Sequence, residues 1–437
     1  MKHKRNQIEI KSTNNQLIFS KNSSMAVSIR GDKSICLPVS SEEQYQQLIA
    51  NNHNYRAYLL QLYAKYPEIF PREMEAGFSF HDWVVSSKQE LSMRRIKLKA
   101  NQQVYQLRPD FIMPYMVGKT DEIDKPMYLR QFGVPFDALS YVFGRNAMYW
   151  YRIYLSLGRA SIVGTTIKDA QKLPPHLVAD EKHTWLGGSR VYLPTTVASG
   201  CILGVSLTES ASAPALTKGY AEFQTEARLL DPNYTPVTVN TDAWDGTKQA
   251  WLNLFPTVTL VLCFLHAVLK VQKGSPSYRN LRNKLKALLW KAYKSSTAAK
   301  FLQGIRLALI WSKKHIRRKR TLSKMRQLCR RAAQFTVAYQ FPQAHRTSNM
   351  VDRLMNHQDR LLYTMQYFHG DKESARLYLR SMALIWNFHP YAARTRSKCS
   401  SRISPFSDLN GFSYHHNWLH NLLIASSMNG RQTLQSG

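Results

Sequence analysis

Three carboxylates in this sequence are spaced as a set that could hold divalent ions. Asp180 lies in the run LVADEKHTW, Asp242 closes the β-branched run VTVNT, and Asp352 follows in RTSNMVDRLMN. Breaking or transferring a phosphodiester calls for one ion at the attacking oxygen and a second, about 3.5–4 Å away, at the leaving oxygen. Hard cations prefer carboxylate oxygen. Three acids from separated positions are a minimal set that can bridge and flank such a pair, so two Mg²⁺ or Mn²⁺ ions are the expected cofactors. Taken singly, each Asp reads as a helix cap or a surface residue; the metal reading rests on the set. Glu181, Asp245 and Asp359 are the neighbouring acids that could replace a member of it.

The elements that must position these acids centre on Val237 to His266. Val237 to Thr241 is a short strand that delivers Asp242 to its tip. Ala250, Trp251 and Leu254 recur at helical spacing, and Pro256 ends that helix. Thr257 to Leu262 is β-branched and nearly all apolar, which predicts a strand covered on both faces of a sheet. Upstream, Leu177 to Leu207 reads as three strands joined by hairpins, one of them turning at Gly187-Gly188, and Ala211 to Leu230 reads as a helix. The order is β-β-β-α-β-α-β, a mixed sheet flanked by helices, with Asp180 on its first strand. Thr347 or Ser348 is placed to cap the helix that carries Asp352.

Charge points to the partner. The 437 residues carry a formal net charge of +32. From Gly246 to Val351 there is no Asp or Glu, and cations crowd at Lys313, Lys314, Arg317, Arg318, Arg320 and Lys324. Leu281, Leu285, Leu288, Leu289, Phe301, Ile305 and Leu309 keep helical spacing there, so Tyr278 to Gln340 reads as a helical insertion, apolar inside and basic outside. Uncompensated like charge destabilises a compact chain unless a polyanion neutralises it, and nucleic acid is the expected polyanion. Arg317 to Arg320 also resembles a nuclear-import run, which phosphate contact or plain solvation explains as well.

The N-terminal part reads as a mostly helical DNA-binding region. Glu42 to Tyr63 is helical in spacing, and Leu91 to Leu107 reads as a strand pair or DNA-facing ribbon. Between Pro126 and Leu157, two short helices separated by Gly133 and a third after Gly144 outline a helix-turn-helix unit. Its last helix offers Arg145, Asn146, Tyr149 and Arg152 to DNA; an ordinary helical bundle has the same outline. Residues 1–40 read as a flexible or weakly structured arm. The divisions are 41–170 for the DNA-binding region, 171–276 and 346–394 for the two parts of the catalytic domain, 277–345 for the insertion, and 395–437 for a C-terminal tail.

Five scattered cysteines, with no CxxC pair, argue against a disulfide framework. No secretory signal or membrane-length apolar run is present, so a soluble intracellular protein is expected. Cys263-x-x-His266 lacks a second pair at zinc spacing. Packing and hydrogen bonding behind the metal site is the expected role of that pair. His416 and His420 read as a surface or packing pair, and Trp244 as a base-stacking residue or a sheet cap.

The blocks NTDAWDGTKQAW…LCFLH and RTSNMVDRLMN, separated by a helical insertion, resemble transposases of the ribonuclease-H-like, DDE-type superfamily, in particular the Mutator-like insertion-sequence group. In that group the second acid ends a strand and precedes a Cys-x-x-His pair, matched by Cys263 and His266. The third acid follows the insertion within a Ser-Asn-x-x-acid pattern, matched by Ser348, Asn349 and Asp352. Asp180 matches the first acid by position. The group usually has Glu third, and Asp352 is one methylene shorter. The resemblance implies a ribonuclease-H-like sheet interrupted by an all-α insertion, with catalytic and metal-binding Asp180, Asp242 and Asp352. It implies water attack that frees a 3′-hydroxyl, followed by attack of that hydroxyl on target DNA. Double-stranded DNA is the implied partner, engaged by a dimer or larger assembly. The implied location is the nucleoid-bearing cytoplasm of a prokaryote, or the nucleus of a eukaryote. A nuclease that only hydrolyses and a domesticated copy that binds DNA without cutting it are the alternatives.

Overall fold

Alternating apolar residues build the first of two mixed sheets. Strands β1 (Ser34–Leu37), β2 (Phe78–Ser86), β3 (Leu91–Leu98) and β4 (Val104–Pro109) lie in the order β1-β4-β3-β2. Only the β1–β4 pair is parallel. Helix α1 (Glu42–Ala50) is separated from α2 (Asn52–Lys65) by Asn51, whose side chain caps α2 from an extended backbone. That break divides the single helix expected over 42–63. Helices predominate over 41–170, and the ribbon expected near 91–107 is the β3–β4 part of a four-stranded sheet that β2 and β1 complete. Helices α3 (Thr120–Arg130), α4 (Phe136–Phe143) and α5 (Ala147–Leu157) follow, broken at Gly133 and Gly144, and then α6 (Ile162–Thr166). This computed structural model describes residues 31–39, 41–272, 279–399 and 402–431. Residues 1–30 of the expected arm and the first two residues of the insertion lie outside them; Ser34–Leu37, also expected in the arm, form the largely buried strand β1 instead. The described residues form one compact unit.

The second sheet holds β5 (His176–Leu186), β6 (Ser189–Ala198), β7 (Cys201–Val205), β8 (Thr238–Thr241) and β9 (Thr259–Leu262), in the order β7-β6-β5-β8-β9. The first three are antiparallel; β8 runs parallel to β5, and β9 parallel to β8. Gly187 and Gly188, both at positive φ, make the two-residue turn between β5 and β6. Helices α7 (Ala213–Leu230) and α8 (Asp245–Leu254) cover one face: Leu177, Ala179 and Val239 pack with Tyr220, Phe223 and Trp251. Val178, Leu193 and Val197 face the other way, into a core shared with the first sheet. The strand β9 is an edge strand with Thr259 and Leu260 only half-buried, so the full burial expected of it does not hold.

Beyond β9 come α9 (Phe264–Gln272) and three basic helices, α10 (Arg279–Tyr293), α11 (Ala298–His315) and α12 (Lys319–Arg330). They have their own core of Phe264, Leu285, Leu289, Phe301, Ile305 and Phe335. Phe264 stacks on Tyr293 at 4.3 Å, which ties the end of β9 to the insertion. Helices α13 (Asn349–Thr364) and α14 (Lys372–Phe388) return to the second sheet.

Much of the stretch expected as a tail is core, although 395–403 are mostly exposed where described. After α15 (Ala393–Lys398) and α16 (Pro405–Asn410), helix α17 (Trp418–Ala425) is buried along its whole length and packs on β1, α3 and α14. A helix apolar on nearly all sides must be enclosed. Among the described residues, no helix is long and apolar enough to cross a membrane.

Candidate metal centre

The period of two along β5 decides which acid faces which helix. Val178 points to the α13 side and Ala179 to the α7–α8 side, so Asp180 joins the former and Glu181 the latter. Glu181 accepts bonds from Tyr220 Oη at 2.6 Å and Thr247 Oγ1 at 2.8 Å. Burial raises its pKa to about 7, those two bonds opposing. Asp180, 8% exposed, meets Asp352 from the first turn of α13 and His266 from the first turn of α9. One ligand atom from each of these three residues lies within 4.8 Å of the others.

Asp242 is not in that set. It stands one residue beyond β8, half-buried, and its Oδ1 accepts from Trp244 N at 2.6 Å. It is near enough for its charge to act on both Asp180 and His266. Of the substitutes, Glu181 faces the other side of the sheet. Asp245 is solvent-exposed and paired with Lys248, and Asp359 is paired with Lys182.

Asp352 is held from behind. Ser348 is buried, its Oγ donates to Asp352 Oδ2 at 3.1 Å, and its N–H donates to Cys263 Sγ at 3.2 Å. Cys263 Sγ in turn donates to Ser348 Oγ at 3.3 Å. Cys263 and Ser348 thus support the site, while Asn349 stands exposed at the first position of α13. His266 does not sit behind the carboxylates. It lies among them, its Nε2 at 3.9 Å from Asp180 Oδ2. The reason is local: α9 starts at Phe264, directly after the strand, so one helical turn carries position 266 back to the strand end.

The electrostatics are those of crowded anions. Burial raises Asp180 to about 6, opposed by the His266 charge and by its bond from Glu181 N, and increased by Asp242 and Asp352. The Cys263 sulfur raises His266 to about 9 against the effect of burial, with Asp180 and Asp242 adding to the rise. His266 is therefore the resident cation at neutral pH. Two carboxylates, neither closed onto the imidazole by a hydrogen bond, suit a divalent ion of the Mg²⁺–Mn²⁺ class; His266 could join them as a ligand only by giving up its proton, and as imidazolium it balances their charge instead. Asp242 extends the set on its open side.

The residues expected to touch DNA divide. Asn146 caps α5 by accepting from Tyr149 N at 2.7 Å, and Tyr149 Oη donates to Val117 O at 2.8 Å, so both serve the fold. Arg145 and Arg152 are exposed, with the Arg145 guanidinium 5.5 Å from the Tyr149 ring centre. Lys313, Lys314, Arg317 and Arg320 are exposed around the α11–α12 turn, and Arg318 is half-buried as the residue before α12. Lys270 and Arg331, close to His266 along a shared cavity, were not singled out by the sequence, although Lys324, Gln327 and Arg331 follow helical spacing. A second Asp–His cluster was also missed: Asp110, Asp121, His415 and His420. Trp244 donates to Ala211 O at 3.2 Å, and the residue is 55% exposed.

No protein-family model matches the chain, and no curated protein matches it.

Proposed function

We propose that this chain is a DDE-type DNA transposase that cuts DNA at the ends of a mobile element and joins the freed strand to target DNA. The observation that carries the reading is the convergence of Asp180, Asp352 and His266 within 4.8 Å, with Asp242 alongside at a strand end. Supporting it are the strand order β7-β6-β5-β8-β9, which suits a ribonuclease-H-like catalytic domain, and the carboxylate-free helical insertion between the second and third acids. Asp180 and Asp352 would bind the ions, with Asp242 completing the set. Bound Mg²⁺ or Mn²⁺ would supply the charge that the attacking and leaving oxygens need. Ser348 fixes one Asp352 oxygen and so sets where the carboxylate points. The exposed cations of α11 and α12 hold phosphates of double-stranded DNA, and joining two element ends calls for two copies of the chain.

The test uses purified full-length protein, DNA carrying the element's own ends, a target plasmid, and Mg²⁺ or Mn²⁺. End cleavage and strand joining, both lost in Asp180→Asn, Asp242→Asn and Asp352→Asn, are expected. Full activity in those variants overturns the assigned site. Cleavage without any joined product overturns the transposase reading in favour of a hydrolytic nuclease, and binding without cleavage overturns it in favour of a DNA-binding copy.

A further inference from the structure

Next to the carboxylates a cavity opens between α9 and α12. It is a partly open cleft, about 480 Å³ with the open solvent above it counted, and its enclosed part is much smaller. Its inner wall is apolar, made by buried Val271, Leu328 and Phe335. Its rim carries Lys270, Lys324 and Arg331, and no carboxylate lines it. Among the described residues none of these three cations forms an ion pair, so an anion can reach them. Gln327 lies on the same wall and offers both a donor and an acceptor.

The cavity shares Cys263 and His266 with the metal centre, and Ala243, which follows Asp242, also lines it. Whatever occupies it therefore lies beside a phosphodiester held at the carboxylates. An apolar cleft with a cationic mouth selects a flat, weakly solvated body bearing a negative charge. One unstacked nucleotide has that chemistry: its base fits against Leu328 and Phe335, its phosphate meets the rim, and Gln327 reaches the base edge.

We propose that this cavity receives a single unpaired nucleotide of the DNA strand held at the metal centre. The proposal rests on the reading of the chain as a DNA-processing enzyme, and the experiment separates the two. Full-length protein in EDTA is titrated with a labelled duplex. It is then titrated with oligothymidylate and with an abasic phosphodiester strand of the same length. The base-bearing strand should bind about tenfold or more tightly than the abasic one. Leu328→Trp, which fills the cleft, and Gln327→Trp, which blocks its mouth from an exposed position, should both bring that ratio close to one. Gln327→Trp keeps the test valid if the buried Leu328 variant does not fold. Equal binding of the two strands by a protein that binds duplex overturns the nucleotide pocket alone. Absence of salt-dependent binding to any of the three DNAs overturns the DNA-processing reading. Displacement of the oligonucleotide by thymidine monophosphate at equal nucleotide concentration assigns the pocket to free nucleotides and overturns the proposal.

Discussion

Around His420 and around His266 the chain assembles nearly the same side chains, one imidazole and two aspartates. At His420 the arrangement is closed. Nδ1 meets Asp110 Oδ2 at 2.9 Å and Nε2 meets Asp121 Oδ1 at 3.0 Å, while the other Asp110 oxygen accepts from Val39 N. His415 stacks on the ring at 4.5 Å. Every strong donor and acceptor of the imidazole is used, and the result joins α17 to the segment after β4 and to α3. At His266 the arrangement is open. The nearest carboxylate oxygen is 3.9 Å away, and Asp352 is bonded to Ser348 instead. Composition does not separate a structural cluster from a candidate ligand set; closure of the hydrogen bonds does. A closed cluster stabilises the fold, whereas an open one carries a cost that a bound cation would offset.

Substitutions can break this comparison at both ends. The largest effect is expected at the open cluster, in chemistry: Asp180→Asn or Asp352→Asn should take metal-dependent strand cleavage below detection in a plasmid assay. Next is stability at the closed one. His420→Ala leaves Asp110 buried without its partner and should cost about 3–5 kcal/mol in urea unfolding. His266→Ala should cost less than His420→Ala, because no hydrogen bond joins His266 to either carboxylate. Equal losses from the two would erase the distinction.

Asp180→Asn should also stabilise the metal-free protein. The folded pKa of Asp180, about 6, lies above its usual 3.8. Between those values the native state holds a proton that the unfolded chain has released, so stability falls as pH rises across that window and stays lower above it. Removing the ionisable group should recover on the order of 1–3 kcal/mol at pH 8, read by denaturant titration in EDTA. Loss of stability in Asp180→Asn would show that the carboxylate is needed by the fold.

Smaller is the effect of loosening the third acid. Ser348→Ala frees an Asp352 oxygen and should weaken Mn²⁺ binding about 10-fold by calorimetry. The smallest effect sharpens the closed side through pH. Burial works against charging His420, but Asp110 and Asp121 outweigh it and raise its pKa. Its contribution is therefore complete below about pH 6.5 and is lost as pH rises through the folded value. Wild type should lose stability over that range by more than His420→Ala does.

How much of this was legible in the sequence depended on distance along the chain. The strand tip at Asp242 and the helix bearing Asp352 were readable because local periodicity and caps define them. The strand carrying Asp180 was readable, but alternation alone left Asp180 and Glu181 interchangeable until the packing of Val178 and Ala179 fixed the two faces. The place of His266 did not, because TLVLCFLHAVLK is continuously apolar and periodicity cannot find the strand–helix boundary inside it. The role of His420 was out of reach, since Asp110 lies 310 residues away. The burial of α17 had a local signal in WLHNLLIA, six of whose eight residues are apolar and none charged apart from the titratable His420, but its position near the end of the sequence obscured that signal.

Strand β1 and the helical turn at Ser427–Gly430 are bonded directly: Cys36 N–H donates to Ser427 Oγ across 391 positions, and Ser427 Oγ donates on to Ile69 O. Cover for Ile35 and Leu37 therefore comes from residues far along the chain, α17 and the segment around Ser427. Proteolytic loss of that distant segment would leave β1 exposed while the second sheet and its carboxylates keep their own packing.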